Sequence, residues 1–168
     1  LTDHSDGMGV ITEILSGNPE MMADPVVKSW AEGLSSGDPA RAHAALLDVI
    51  DRQSTGRVPK VVMDPKWMVS AWKQTVEITD KYNEPGRFTA MIGYEWTSVP
   101  GGNNLHRNVL FRDNKDKAEQ VLPFSAWQSE DPEKLWAWMA DYEKKTGGRM
   151  LAMPHNGNLS NGRMFELT

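Results

Sequence analysis

Cysteine is missing from the sequence altogether. A disulfide framework and a thiolate metal site are therefore excluded, and any bound metal ion must be held by histidine, aspartate or glutamate. Histidine is scarce as well, with 4 residues in 168. A chain without cysteine is compatible with every redox environment, so the composition assigns no cellular location.

Long hydrophobic runs are absent too. No apolar run approaches the roughly 18 residues that a membrane-spanning helix needs, and no basic start followed by an apolar stretch marks a signal peptide. We therefore expect no membrane partner. The chain starts at Leu1 without an initiator methionine, and we expect it to be an internal piece of a longer protein.

An excess of basic charge is the third feature that the sequence lacks. The 18 Lys and Arg residues stand against 23 Asp and Glu residues, for a formal net charge of -5 and an isoelectric point near 5.4. The basic residues are scattered, whereas a protein that binds the phosphate backbone concentrates them, so we expect no nucleic-acid partner. With 168 residues and a mean hydropathy of -0.53, the chain is expected to form one domain.

The clearest local signals in the sequence are helix starts. An Asn or Asp followed by proline provides a side chain that caps the helix and a residue whose φ angle suits the first helical position. The two pairs near Asn18 lie too close together for both to begin long helices. Such pairs occur at Asn18-Pro19, Asp24-Pro25, Asp38-Pro39, Asp64-Pro65 and Asp131-Pro132.

Apolar residues at helical intervals extend three of these starts into long helices. Each helix ends at a glycine or proline signal, because glycine adopts the left-handed conformation of a helix C-terminus and a residue before proline is driven out of the helical region. His43 lies on the first helix and is interpreted as an ordinary surface residue. The predicted helices cover 39–54, Asp64-Pro65 to a stop at Glu84-Pro85-Gly86, and Pro132 to a stop at Gly147-Gly148.

Short apolar runs between these helices predict strands. They cover 88–96, 108–112 and 150–154, and 61–63 is a weaker strand candidate or a loop. Strands that alternate with capped helices favour an α/β layer or barrel over a helical bundle. Active sites of α/β folds commonly lie at the carboxyl ends of strands, so polar residues beside these runs are the candidates for function.

A carboxylate and two imidazoles stand next to the apolar runs. Glu95 follows the run 88–94, His106 precedes the run 109–111, and His155 follows the third run. The connection between Glu95 and His106 is rich in Gly and Asn, which tolerate the positive φ angles of a chain reversal. Glu95 is therefore expected to close one strand and His106 to open the next at the same rim.

These residue types together are typical of a metal site. Imidazole and carboxylate ligands suit Zn, Mn or Fe, whereas Ca or Mg favours oxygen ligands alone. A carboxylate such as Glu95 can bridge two cations about 3.5 to 4 Å apart, and bound water then has its pKa lowered toward about 7. Any one of these histidines taken alone is more often structural, so the interpretation depends on their joint placement.

Four sequence strings resemble the ordered ligand series of the polymerase and histidinol phosphatase (PHP) superfamily. The longer strings at 101–109 and 155–162 resemble, more narrowly, the PHP-like family called domain of unknown function 3604. The four strings are Thr2-Asp3-His4-Ser5, Gly93-Tyr94-Glu95-Trp96-Thr97, Asn104-Leu105-His106-Arg107-Asn108 and Pro154-His155-Asn156-Gly157.

The resemblance implies a partial, distorted (β/α) barrel of the PHP type. In the full-length protein it implies two or three divalent transition metal ions (Zn, Mn or Fe). Many PHP proteins hydrolyse phosphoesters, which implies a small-molecule phosphoester as substrate. Asp3 matches a residue that either orients a metal-bound imidazole or helps in proton transfer, and Asp3 and the bridging Glu95 are the expected catalytic carboxylates. The metal ligands implied by position are His4, Glu95, His106 and His155.

Two motifs of the superfamily do not occur in the sequence. These are a His-x-His motif on the first strand and an Asp-x-His motif on the last strand. The expected unit, 1–168, is therefore a single partial PHP-like domain with an incomplete ligand set, and we expect it to be inactive on its own. The exposed edges of a partial barrel would also favour a homo-oligomer, because unpaired strands invite pairing.

Several polar side chains beside these ligands are placed to orient substrate oxygens. Asn next to Gly also favours tight turns, so turn chemistry is the alternative interpretation of the asparagines. The leading hypothesis is a segment of a metal-dependent phosphoesterase that uses metal-activated water. Its alternative is a catalytically silent PHP-like domain that binds a ligand or a partner. The expected substrate-binding residues are Arg107, Asn103, Asn104 and Asn156.

Overall fold

A computed structural model describes residues 2–165 of the chain. Helices and a small sheet are combined, which confirms the predicted α/β class at that level. Within residues 2–165 no helix has both the length and the apolar character needed to cross a membrane. The helices are α1 (Val10–Leu15), α2 (Pro19–Met22), α3 (Pro25–Leu34), α4 (Pro39–Ser54), α5 (Lys66–Tyr82), α6 (Lys115–Ala118) and α7 (Pro132–Thr146), and the strands are β1 (Gly93–Trp96), β2 (Arg107–Phe111) and β3 (Met150–Pro154).

The Asx-Pro pairs begin helices as predicted. At the start of α5, the carboxylate of Asp64 accepts a hydrogen bond of 2.9 Å from the backbone N–H of Lys66. Each such cap stabilises its helix by about 1 kcal/mol, because it satisfies an N–H group that has no partner within the helix. Helix α2 is only 4 residues long, so the crowded pairs near Asn18 do not both begin long helices. The capping side chains of α2, α3, α4 and α7 are Asn18, Asp24, Asp38 and Asp131.

The three long helices agree with the predicted ranges. Helix α4 covers 39–54, α5 ends just before the predicted stop, and Gly147 ends α7 with a φ of 65°. The weak strand candidate at 61–63 is instead part of a 3-10 helix, Lys60–Met63, which buries Val62. Helices α1 and α6 have no Asx-Pro start, so local signals do not predict them.

Strand β1 is shorter than predicted, because the first half of 88–96 is not a strand. Two backbone hydrogen bonds, of 2.9 and 2.8 Å, join Glu84 and Phe88 and close a turn. Gly86 lies within this turn at a φ of 85°, a conformation that glycine adopts without strain. The turn leaves Phe88 exposed, and pairing begins only at Gly93.

The strands form an antiparallel sheet in the order β1, β2, β3. The loop between β1 and β2 reverses the chain, which accounts for the first antiparallel pair. A barrel is not seen among the described strands: β2 is central, and β3 pairs only with β2 in the part of the chain that the structure describes. The partial PHP-type barrel therefore stays a prediction.

A further segment extends the sheet beyond β1. The backbone N–H of Glu95 donates to the carbonyl oxygen of Asp3, and the N–H of Ser5 donates to the carbonyl oxygen of Glu95, both at 2.8 Å. The resulting bridge between His4 and Glu95 is parallel. Ser5 is fully buried, and its hydroxyl donates to the carbonyl oxygens of Glu95 and Phe124. These hydrogen bonds therefore fix the segment that carries His4 against β1.

One face of the sheet packs against α5 and α7. The ring centroids of Trp72 and Tyr94 lie 6.1 Å apart at 90°, a favourable edge-to-face arrangement. A second core joins α1, α2, α3 and the 3-10 helix. Because side chains alternate along a strand, residues between the buried positions point to the opposite face of the sheet. The main core includes Trp72, Val76, Tyr94, Trp96, Val109, Phe111, Leu135 and Tyr142.

Alanine at Gly9 tests how closely the start of α1 packs on α5. A Cβ at Gly9 would lie 2.1 Å from the carbonyl oxygen of Trp67, whereas one at Gly17 would meet open space, and both glycines have positive φ. We expect Gly17→Ala to cost about 1–2 kcal/mol for the left-handed backbone alone. Gly9→Ala should cost about 1–3 kcal/mol more, because the backbone must shift. Urea denaturation measures both, and equal losses would contradict this packing.

Candidate metal centre

The predicted ligands beside the strands meet at one edge of the sheet. Glu95 lies near the carboxyl end of β1, His106 directly precedes β2, and His155 directly follows β3. In an antiparallel sheet the end of one strand lies beside the start of the next, so these positions share an edge. The backbone N–H of His155 donates to the carbonyl oxygen of His106 at 3.2 Å, which continues the pairing past the strand ends. The predicted shared rim is confirmed.

The same side chains also point to one face of the sheet. Tyr94 and Trp96 are fully buried in the core, so Glu95 between them points the other way. Arg107 is buried on the core face, so His106 before it points in the direction of Glu95. Alternation between buried neighbours thus aims the carboxylate and the imidazole at a common space.

Glu95 is the centre of this cluster. Its Oε1 atom lies 2.8 Å from His106 Nδ1 and 3.1 Å from His155 Nε2. One potential ligand atom from each residue lies within 4.8 Å of the other two. The side chains of Glu95 and His106 are each 13% exposed, so water screens their interaction only in part.

The donor set fits a divalent transition metal ion. Imidazole nitrogens combined with a carboxylate oxygen suit Zn, Mn or Fe. His106 Nε2 and His155 Nδ1 are buried and have no hydrogen-bond partner among the described residues. Burial lowers the pKa of His106 and outweighs the opposing attraction of the Glu95 carboxylate. Burial therefore favours the neutral form of His106, which is the form that binds metal.

His4 lies near the second carboxylate oxygen of Glu95, and its ring centroid is 6.1 Å from that of His106. Its Nε2 atom lies 3.9 Å from Glu95 Oε2, whereas Glu95 Oε1 faces His106 and His155. The Nδ1 atom of His4 forms a hydrogen bond of 2.8 Å with the hydroxyl of Thr97. The two oxygens of one carboxylate thus face different imidazoles, which is the arrangement that a bridging carboxylate needs.

Thr97 is a site residue that the sequence patterns do not reveal. It is largely buried, and its hydroxyl fixes the ring of His4 so that Nε2 is directed toward Glu95. Thr97 follows Glu95 by two positions, and residues two apart on an extended chain share a face. This two-residue spacing from Glu95 is the sequence signal from which Thr97 could have been predicted.

The asparagines predicted to bind substrate form hydrogen bonds within the loops. The buried Asn103 donates from Nδ2 to the carbonyl oxygen of Pro100 at 2.7 Å. Asn104 Oδ1 accepts a hydrogen bond of 3.1 Å from the backbone N–H of His106. Asn156 has a φ of 58° and begins a short 3-10 turn. Turn chemistry accounts for these contacts, and a role in substrate binding stays a prediction.

Arg107 and Asp3 lie outside the cluster. The guanidinium of Arg107 is 5.8 Å from the ring centroid of Trp96 and 5.2 Å from that of Trp136, and burial lowers its pKa. The backbone carbonyl oxygen of Asp3 accepts a hydrogen bond from the N–H of Glu95, and Asp3 itself is exposed to solvent. The carboxylate of Asp3 forms no hydrogen bond within residues 2–165. The roles predicted for Arg107 and Asp3 in substrate binding and proton transfer stay predictions.

The cluster predicts a specific pattern of metal affinities. Titration calorimetry with Zn²⁺ should show that Glu95→Gln and His106→Ala each lower the affinity by at least about 100-fold, because each removes a ligand atom. His43→Ala is the matched control, since His43 is exposed on α4 and distant in sequence from the cluster. A Zn²⁺ affinity that is the same in all these variants would contradict the site.

Comparison with known proteins gives one positive result. No curated protein and no solved structure matches the sequence. The family described as "Protein of unknown function (DUF3604)" matches residues 1–168, which is the full length of the sequence. The chain therefore belongs to the DUF3604 family.

Proposed function

We propose that the chain is the metal-binding segment of a metal-dependent hydrolase that cleaves phosphoesters. The observation that carries this proposal is the position of Glu95. Its Oε1 atom contacts His106 and His155, and its Oε2 atom faces His4. A carboxylate placed in this way can hold two cations at the separation that clamps the attacking and leaving oxygens of a phosphoryl displacement.

The resemblance to the PHP superfamily supports the choice of reaction. The residues that resemble its ligand series, which are far apart in sequence, lie together around one carboxylate. The finer description of the fold, a partial PHP-type (β/α) barrel, belongs to the same proposal, as do Zn, Mn or Fe as the metals. The substrate would be a small phosphoester that reaches the exposed side of the site at His4, whose side chain is 58% exposed.

When bound, the metal ions would lower the pKa of coordinated water toward about 7 and neutralise negative charge on the phosphoryl group. The protein residues prepare the site for this chemistry. Glu95 supplies a carboxylate that is mostly shielded from water, and burial favours the neutral, metal-binding form of His106. Thr97 orients His4. Asp3, exposed beside His4, is proposed to transfer protons on the strength of the resemblance.

The alternative function is a catalytically silent domain that binds a ligand or a partner. One observation favours it: side chains predicted to orient substrate have other contacts. Asn103 forms hydrogen bonds within its loop, and Arg107 lies against two tryptophan rings on the core side of the sheet. A hydrolase would then need its substrate contacts from elsewhere.

Hydrolysis of p-nitrophenyl phosphate and bis-p-nitrophenyl phosphate by the full-length protein distinguishes these functions. After metal removal and reconstitution with Zn²⁺ or Mn²⁺, we expect turnover that falls by about 10²–10³-fold in Glu95→Gln, because the group that positions the charge-stabilising ions is lost. His43→Ala should retain full activity. Metal binding without turnover of either ester would favour the silent domain, and undiminished activity in Glu95→Gln would contradict the proposed site.

A further inference from the structure

Asn108 has a buried polar atom that no described residue satisfies. Its side-chain oxygen, Oδ1, is inaccessible to solvent and has no hydrogen-bond partner within residues 2–165. His106 Nε2 and His155 Nδ1 share this property. A buried polar group without a partner costs about 1–3 kcal/mol, so the unpaired oxygen of Asn108 needs a partner that the described residues do not supply.

The sheet register places Asn108 directly opposite Glu95. The two residues are Cα partners across β1 and β2. The backbone N–H and C=O of Glu95 bond to Asp3 and Ser5 on the far side of β1, so they do not point toward β2. Glu95 and Asn108 therefore form a non-hydrogen-bonded pair, in which the Cα atoms are about 4.5 Å apart and the side chains are closest.

The side chain of Asn108 also points to the face that carries the ligands. Its neighbours Arg107 and Val109 are buried on the core face, so Asn108 points with Glu95. On that face Asn108 is two positions from His106. Its other cross-strand partner, Met153, is two positions before His155. Asn108 thus lies in the layer next to all three ligands.

The remaining side chains of this layer are apolar. Leu110 and the exposed Leu151 and Met153 extend along the same face, and an apolar residue at 108 would avoid the cost of the buried, unsatisfied oxygen. An amide among them is therefore better explained by a bound group than by packing. A carbonyl oxygen of this kind is a ligand that suits Mn²⁺ better than it suits ions selected by nitrogen and sulfur.

We propose that Asn108 Oδ1 is a fourth protein ligand of the ion held by Glu95, His106 and His155. The proposal rests on the metal site of the proposed function. A second oxygen ligand shifts the selectivity of the site toward Mn²⁺, because Mn²⁺ takes more ligands than Zn²⁺. Glu95 and two imidazoles already suffice to bind Zn²⁺. Asn108 is thus a metal-selecting residue.

Titration calorimetry with Mn²⁺ and with Zn²⁺ tests this role. Asn108→Leu preserves size and removes the oxygen, and it should lower the Mn²⁺ affinity by at least about 10-fold and the Zn²⁺ affinity by less. Asn108→Asp adds a charged oxygen and should raise the Mn²⁺ affinity above that of the wild type. Gln74→Leu, which removes an exposed amide on α5, is the control and should change neither affinity.

Thermal unfolding without metal separates a structural role from a ligand role. Asn108→Leu should not lower the unfolding midpoint, because it removes a buried oxygen that has no hydrogen-bond partner. The role of Asn108 as a ligand would be overturned if Asn108→Leu left the affinities for both ions unchanged. It would also be overturned if the variant lost Mn²⁺ and Zn²⁺ affinity equally and unfolded at a lower temperature. If Glu95→Gln still lowers the Zn²⁺ affinity in that case, the metal site of the proposed function is retained without Asn108. A wild-type protein that binds neither ion would overturn the site and this inference together.

Discussion

The contact between Glu95 and two imidazoles is the interaction on which the rest of the site depends, and the core of the protein positions it. Tyr94 and Trp96 are fully buried against α5 and α7, so β1 has one allowed orientation and Glu95 must point to the opposite face. A slip of one residue would exchange the two faces and place the carboxylate in an apolar core, at a prohibitive desolvation cost. The aromatic packing therefore fixes the direction of a charged group that it does not touch.

The cluster has a shielded side and an open side. The side chain of His106 is 13% exposed, whereas that of His4 is 58% exposed, and the two imidazoles face different oxygens of Glu95. The shielded side favours neutral imidazole and strong electrostatic attraction to a cation. The open side gives access from solvent. This division suits a site that retains an ion and exchanges a substrate, as the proposed hydrolase would.

The helices could be predicted because their signals are local: Asp38 and Asp131 cap the helices that follow them, and Gly147 ends α7. The clustering of Glu95, His106 and His155 could also be predicted, from motif strings beside apolar runs. The order of the strands and the contact between Thr97 and His4 were not, since they depend on the register between distant segments. Short apolar runs reveal strands, but they do not reveal which strand lies beside which.

A metal-soaked crystal examined by anomalous diffraction at the Mn edge tests the central claim most directly, since it locates the ion without reference to activity. The account predicts an anomalous peak bonded to a Glu95 oxygen and to a nitrogen of both His106 and His155, at distances of about 2.0–2.3 Å. An ordered cluster with no peak among these side chains, or with the ion bound at another place in the chain, would contradict it.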